Sequence, residues 1–225
     1  MFMRQSVRLS VVSTMLLTAA CATVGGYFYD PPATKLNDSY RGVYELDRHH
    51  ANLYFRVSYL GLSQIMGRFN DFNARMVFDG VNTEKSKVTA TIETKSLDSQ
   101  DASLRAALIG VDFLDSVHFP QLTFATEGIV WHDSAHATVS GIVTLRGISR
   151  PITLNVTFNG GGVSLLDGRK RLGFSAEAKL QRSEFGMTAN QWLVGDTVEL
   201  LIETELVRAG EFAPDEPRPA AALQH

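Results

Sequence analysis

Asp47 and His50 stand three residues apart, a spacing at which a carboxylate and an imidazole can meet across one turn. Such a pair could work as acid and base on a lipid or small substrate. The rest of a catalytic set is missing from the sequence. Ser63 has no G-x-S-x-G elbow around it, and no carboxylate pair sits on an identifiable pocket. His49 and His50 are adjacent, so on a strand they point to opposite faces and one of them, His50, is a candidate for a ligand's polar head. His132 and His136 are four apart, which would suit a metal on a helix, but here they flank a polar turn. Gly160-Gly161-Gly162 does not open a helix after a strand, so it is no phosphate cradle and reads as a turn or flexible loop. Asn37-x-Ser39 and Asn155-x-Thr157 are glycosylation sequons by pattern alone. These residues point to a binding protein with no catalytic residue, no metal site and no required cofactor.

The elements that would position a ligand are short amphipathic strands. Leu53, Phe55, Val57 and Tyr59 alternate with polar residues, a period of two that marks a half-buried strand. Ile65, Met66 and Phe69 follow after the break at Leu60–Ser63. The same grammar recurs at Ala74, Met76 and Phe78, ending in the turn dipeptide Asp79-Gly80, and at Val88, Ala90 and Ile92. Then Ala102, Leu104, Ala107, Leu108 and Val111 fit helical spacing, with Asp98 or Ser99 as the cap and Gly110 near the end. Strands resume at Leu122 and Phe124, at Ile129 to Trp131, and at Val139 to Leu145. After a connection at Arg146 to Pro151, they continue with Ile152, Leu154, Val156 and Phe158, and with Phe174, Ala176, Ala178 and Leu180. The last carries Val198, Leu200, Ile202, Thr204 and Leu206 on one face and Glu199, Glu203 and Glu205 on the other. Short strands at even spacing allow a sandwich or a barrel. The barrel is the better expectation, because a closed sheet has no edges and Phe and Met can line its inside.

The composition is that of one globular domain: 225 residues, 44% hydrophobic, 20% charged, net charge −3. That balance excludes a nucleic-acid partner of the basic kind. Residues 1–20 have the pattern of a signal peptide: Arg4 and Arg8, an apolar run from Leu9 to Leu17, then small residues. Cys21, the single cysteine, directly follows Leu17-Thr18-Ala19-Ala20, which is similar to a bacterial lipobox with Thr18 in place of the usual Leu. Residues 21–42, with Gly25-Gly26 and Pro31-Pro32, read as a lipidated tether. Residues 43–208 are the barrel, and 209–225, rich in Pro, Ala and charge, a disordered tail.

Four segments together resemble the YceI-like family of periplasmic lipid-binding β-barrels. They are Tyr44-x-x-Asp47-x-x-His50 with Leu53-x-Phe55-x-Val57, Gly61, Gly67 and Phe69; Leu108-x-x-x-Asp112-Phe113-Leu114-Asp115 with Phe119-Pro120-x-Leu122-x-Phe124; Val139-x-Gly141-x-Val143-Thr144-Leu145-Arg146-Gly147 with Pro151-Ile152-x-Leu154; and Gly173-Phe174 with Arg182-Ser183-x-Phe185-Gly186-Met187 and Val194-Gly195-Asp196. They run in family order. The resemblance implies an all-β, lipocalin-like, eight-stranded antiparallel barrel with one short helix at its mouth. Its elongated apolar interior would hold a long-chain lipid, commonly a polyisoprenoid. The chain has Ala51, Tyr59 and Ile109 where the family often has Ser, His and a basic residue. Those departures favour an isoprenoid quinone or simple fatty chain over a phosphorylated lipid.

Phe55, Val57, Tyr59, Met66, Met76, Phe78, Leu108, Phe113, Phe124, Phe174, Phe185, Met187 and Trp192 are the expected ligand-lining residues, since Met and Phe adapt to irregular apolar shapes. The expected partners are an apolar lipid inside and a membrane reached through an acylated Cys21; a homodimer is compatible with this reading. Packed envelope protein and lipid-modifying enzyme are the alternatives. The location expected is the periplasm, anchored to the outer membrane, because Ala22 rather than Asp follows the cysteine. Cys21→Ser tests the anchor: wild type should take up labelled fatty acid and fractionate with membrane, and the variant should do neither. A wild type that is unlabelled and as soluble as the variant would show an ordinary signal.

Overall fold

The computed structural model describes residues 33–165 and 167–210, and among these described residues the alternation of apolar and polar side chains produces eleven strands beside one α-helix. The stretch read as a signal peptide, Cys21, the aromatics Tyr27, Phe28 and Tyr29, and the residues from 211 onward lie outside the described residues. The strands are β1 (Gly42–Leu46), β2 (Asn52–Tyr59), β3 (Ser63–Phe69), β4 (Phe72–Phe78), β5 (Lys87–Glu93), β6 (Leu97–Asp98), β7 (Gln121–Trp131), β8 (His136–Leu145), β9 (Ile148–Val163), β10 (Lys170–Gln181) and β11 (Val194–Gly210), and the helix is α1 (Ala102–Ile109).

All pairings are antiparallel, and β1 pairs with both β4 and β11. That closes a ring of eight strands, β1-β4-β5-β7-β8-β9-β10-β11. β11 is long enough to serve two partners: Val207 and Leu206 face β1, while residues from Glu203 back to Val194 face β2. β1 and β2 are therefore two lengths of one barrel strand. β3 and β4 are likewise two lengths of the next, since β3 pairs β2 and β4 pairs β1.

Local chemistry sets the turns. Arg146 and Gly147 both have positive φ, 52° and 72°, and join β8 to β9 as a two-residue turn. The connection expected from Arg146 to Pro151 is thus only these two residues, and Pro151 lies within β9. Asp133 accepts from the backbone N–H groups of Ala135 and His136 at 2.7 and 2.8 Å and shapes the β7–β8 turn. Asp101 caps α1, accepting from Leu104 N at 2.7 Å, so the helix starts a little later than Asp98 or Ser99 would have it. Gly160-Gly161-Gly162 is not a loop but part of β9. The ring of Tyr40 and the side chain of Leu172 close over Gly161, so that a Cβ there would lie 2.8 Å from Leu172 Cδ2. Gly141 has the same role under Phe124, whose ring would come within 2.5 Å of an added Cβ.

The interior divides into two apolar clusters. One holds Phe55, Leu97, Leu114, Phe185 and Met187 at the helix end; the other holds Tyr40, Tyr44, Phe78, Phe158 and Leu172 at the opposite end. Ala33 bridges Gly161, and Tyr44 Oη donates to Tyr40 O at 2.7 Å. The described part of the stretch read as a tether therefore lies against the barrel.

Leu154 projects inward and Glu203 outward. Leu154→Asp should unfold the domain, since it places an unpaired carboxylate in an apolar interior at several kcal/mol, roughly. Glu203→Ala should stay within about 0.5 kcal/mol of wild type in chemical denaturation. The reverse ranking would mean a register shifted by one residue.

Candidate functional site

Inward-facing residues of the ring strands leave a cavity of about 210 Å³ between the two clusters. Its walls come from β4 and β5 (Ala74, Met76, Ala90, Ile92), β7 and β8 (Phe124, Trp131, Val139, Val143), β9 and β10 (Ile152, Leu154, Phe174, Ala176) and β11 (Leu200, Ile202, Leu206). Leu36 contributes from the N-terminal segment. No lining residue carries a charge, and the only hydroxyls are those of Thr83, Ser86 and Thr204. Such a surface can hold hydrocarbon but offers almost nothing to orient a polar substrate. The cavity exceeds the ~150 Å³ that accommodates a benzene-sized guest and falls below the ~300–1,000 Å³ typical of drug-sized sites. It therefore suits a slender chain better than a broad ring system.

Of the residues expected on the lining, Met76, Phe78, Phe124 and Phe174 are there. Phe55, Phe185 and Met187 are instead buried in the cluster at the helix end, with Leu108 packed against it. Phe113 is buried under the Arg182 guanidinium, 5.8 Å from its ring centre, and Val57 is buried elsewhere. Tyr59 is half-buried at the end of β2. Met66 and Trp192 are at the surface, 54% and 79% exposed. Met66 sits between Ile65 and the buried Gly67 on the outward parity of β3, and Trp192 lies in the loop before β11. Leu122, Leu154, Val156, Leu200, Ile202 and Leu206 line the cavity too, although their residue type alone does not single them out. Strand parity, already visible in their alternation, would have found them.

The helix end is closed by one buried cation. Arg182 is 2% exposed, and its guanidinium donates to the carbonyls of Gly195, Met187 and Val194, fixing the loop between β10 and β11. Burial lowers its pKa. Arg146 donates to the carbonyls of Val111 and Phe113 and ties down the segment after α1.

Asp47 and His50 do meet, at 3.0 Å, but neither lines the cavity. Arg171 lies 2.7 Å from Asp47 and 2.9 Å from Asp167, and also pairs with Glu205. Hydrogen bonds from His50 and then Arg171 hold the Asp47 carboxyl far below the usual range, while Asp47 raises the exposed His50. Asp47, His50 and Glu205 lie close enough to share a cation, yet the Arg171 guanidinium already pairs with both carboxylates there. His132 and His136 turn to different partners, Thr138 and Asp133. What the network does is anchor the one-turn 3-10 helix Arg48–His50, since Asp47 also accepts from His49 N at 3.0 Å.

The model of the YceI-like domain matches residues 44–206. Protein YceI of Salmonella arizonae is 35% identical over 167 residues, covering 73% of this chain and 86% of the relative. Among solved structures, the Campylobacter jejuni YCEI protein superposes with a TM-score of 0.61 at 27% identity, over 66% of this chain and 87% of that one. Burkholderia cenocepacia BcnA gives 0.65 at 21% identity, over 71% and 98%. A Saccharophagus degradans domain described as polyisoprenoid binding gives 0.55 at 14%, over 74% and 98%, a likeness of fold.

The ion-pair network predicts a pH signature. A carboxylate with a depressed pKa adds stability above its unfolded value, 3.8 for Asp47, and that stability is lost as pH falls through the native value. Asp167, held near 2 first by the Arg169 N–H and then by Arg171, behaves the same way. Arg171→Met should thus lower the urea midpoint at pH 7, and the gap to wild type should narrow steadily below pH 3.8. A gap independent of pH would assign Arg171 a packing role only.

Proposed function

The chain belongs to the YceI-like domain family, and from that membership we propose that it binds a long apolar chain, polyisoprenoid, quinone or fatty-acid-like, inside its barrel. The observation that carries this reading is the cavity itself: a wall almost wholly of aliphatic and aromatic side chains, without a charge. Each methylene moved from water into it gains about 0.8 kcal/mol, so affinity accumulates with chain length and needs no strong polar contact. The description of the Saccharophagus degradans domain as polyisoprenoid binding supports the same ligand class. A carrier or sequestering role follows, because such ligands diffuse poorly through water on their own.

Binding without catalysis is the reading the site favours. The cavity wall has no acid or base to act on a chain or to activate the hydroxyls of Thr83, Ser86 and Thr204, and Asp47 and His50 are engaged outside it. A free interior volume also speaks for a carrier over a solid-packed envelope protein. Export to the periplasm, acylation at Cys21 and attachment to the outer membrane complete the proposal; they rest on the leader pattern and on the family resemblance.

Native mass spectrometry and lipid extraction of protein purified from its own host should recover an apolar ligand in the wild type. Ala176 lines the cavity, and Ala176→Phe fills it from a position with free volume in front. That variant should keep or raise the melting temperature while recovering at least about tenfold less lipid, the loss expected when a matched apolar space is blocked. Wild type that yields no lipid, or a filled variant that yields the same amount, would defeat the reading.

A further inference from the structure

Two neighbouring turns at the helix end of the barrel carry no charge. From Val57 to Gly67 and from Phe185 to Gly195 there is no Asp, Glu, Lys, Arg or His, in a chain whose residues are 20% charged. The first run ends β2, turns at Leu60-Gly61-Leu62 and enters β3; the second is the loop that leads from β10 into β11. They touch: Tyr59 pairs with Val194, and Leu60 N donates to Leu193 O at 2.8 Å. The apolar side chains at their tips stand in solvent, Leu62 87% exposed, Trp192 79% and Leu60 50%.

Two features set these tips apart from scattered surface leucines. Leu60 and Gly61 form the centre of the first turn with φ of 53° and 70°, and Leu62 N donates across it to Tyr59 O. Glycine, asparagine or aspartate is the usual residue at such a left-handed position, so a leucine there is strained without being buried. The tips are also satisfied internally. Leu60 N, Leu62 N, Leu193 N and Val194 N all donate to carbonyls of the same two turns. From beneath, the buried Arg182 guanidinium takes the carbonyls of Met187, Val194 and Gly195. These turns can leave water without stranding a charge or these backbone groups, and their fixed shape keeps the ordering cost of docking low.

We propose that the two turns form a membrane-docking tip, at which Leu60, Leu62 and Trp192 enter the interfacial zone of a bilayer. Three side chains supply a few hundred Å², roughly, well short of the ~800 Å² per partner that a stable protein interface buries. A bilayer takes up separate apolar side chains without a matching shape, and its boundary with water is where an indole is favoured. Around the tips the exposed polar residues are Ser63, Gln64, Asn190 and Gln191, all uncharged. The contact is on the outside of the barrel and does not depend on what the cavity holds. It is also separate from an acyl anchor. The described chain begins at Ala33, paired with Gly161, and ends at Gly210, paired with Val43, both at the opposite end of the barrel.

The test uses full-length Cys21→Ser protein, which has no cysteine to acylate, with Trp131→Phe so that Trp192 is the single indole. Neutral phosphatidylcholine vesicles should move Trp192 emission to shorter wavelength. Lipids brominated near the glycerol should quench it more than lipids brominated at the chain ends. The shift should be the same at low and high salt, since no charge takes part. Leu62→Asp should raise the lipid concentration at its midpoint at least about tenfold and leave the melting temperature unchanged. Leu165→Asp, at the exposed turn between β9 and β10 at the opposite end, should leave that midpoint as it was. Emission that vesicles do not move, or equal losses in the two Asp variants, would overturn the proposal. A shift that appears on raising protein concentration without vesicles would overturn it in favour of a second copy of the chain. None of these outcomes alters the reading of the cavity, which the lipid extraction tests separately.

Discussion

The backbone ladder of β11 is the constraint on which the rest of the structure depends. A sheet closes into a barrel only if the strands at its two ends also pair with each other. β11 makes that closure, with β10 along one edge and with β2 and then β1 along the other. Closure removes the free edges that would template association with other chains. It also encloses a volume that side chains alternating inward must fill or leave empty. Its pattern is the plainest in the chain, Val198 to Leu206 inward against Glu199, Glu203 and Glu205 outward.

Because β11 spans both lengths of the neighbouring strand, that strand can break without opening the barrel. The interruption at residues 47–51 keeps one backbone bond to β11, Asp47 N to Glu205 O at 2.8 Å, and is otherwise held by charge. Arg171, from β10, draws Asp47, Glu205 and Asp167 together, and Asp47 in turn caps the 3-10 turn that carries Arg48 and His49. These contacts are partly solvated, so their worth is positional more than energetic. They keep the rim of the gap at a set distance from β3 and β4.

The two ends of the interior differ for a related reason. At the helix end a buried guanidinium satisfies the loop carbonyls, and Phe55, Phe185 and Met187 pack around the resulting plug. The opposite end is closed by side chains alone, Tyr40, Tyr44, Phe158 and Leu172. Between the two ends the facing residues include alanines at 74, 90, 137 and 176, too small to meet across the barrel, and they leave room beside Met76, Phe78 and Phe174.

Strand identity, strand parity, the helix Ala102–Ile109 and the barrel were legible in the sequence, because each depends on local periodicity and on turn residues such as Arg146-Gly147 and Asp133. The apolar character of the interior was legible for the same reason. Which apolar residues meet free space was not: Phe55 and Phe124 have the same type and the same alternation, yet one is packed and the other lines the cavity. That difference depends on what stands across the barrel, a relation between residues far apart in the chain. Nor could the sequence place Gly160-Gly161-Gly162 in a strand, since the cause is Tyr40 lying over Gly161 from more than a hundred residues away, roughly, where only a residue without a Cβ leaves space. The gap between Leu46 and Asn52 arises from two ladders of unequal register. Register is set by pairing across strands, so only the closed sheet could decide that Arg48 and Arg68 share one pocket with Phe72 behind them.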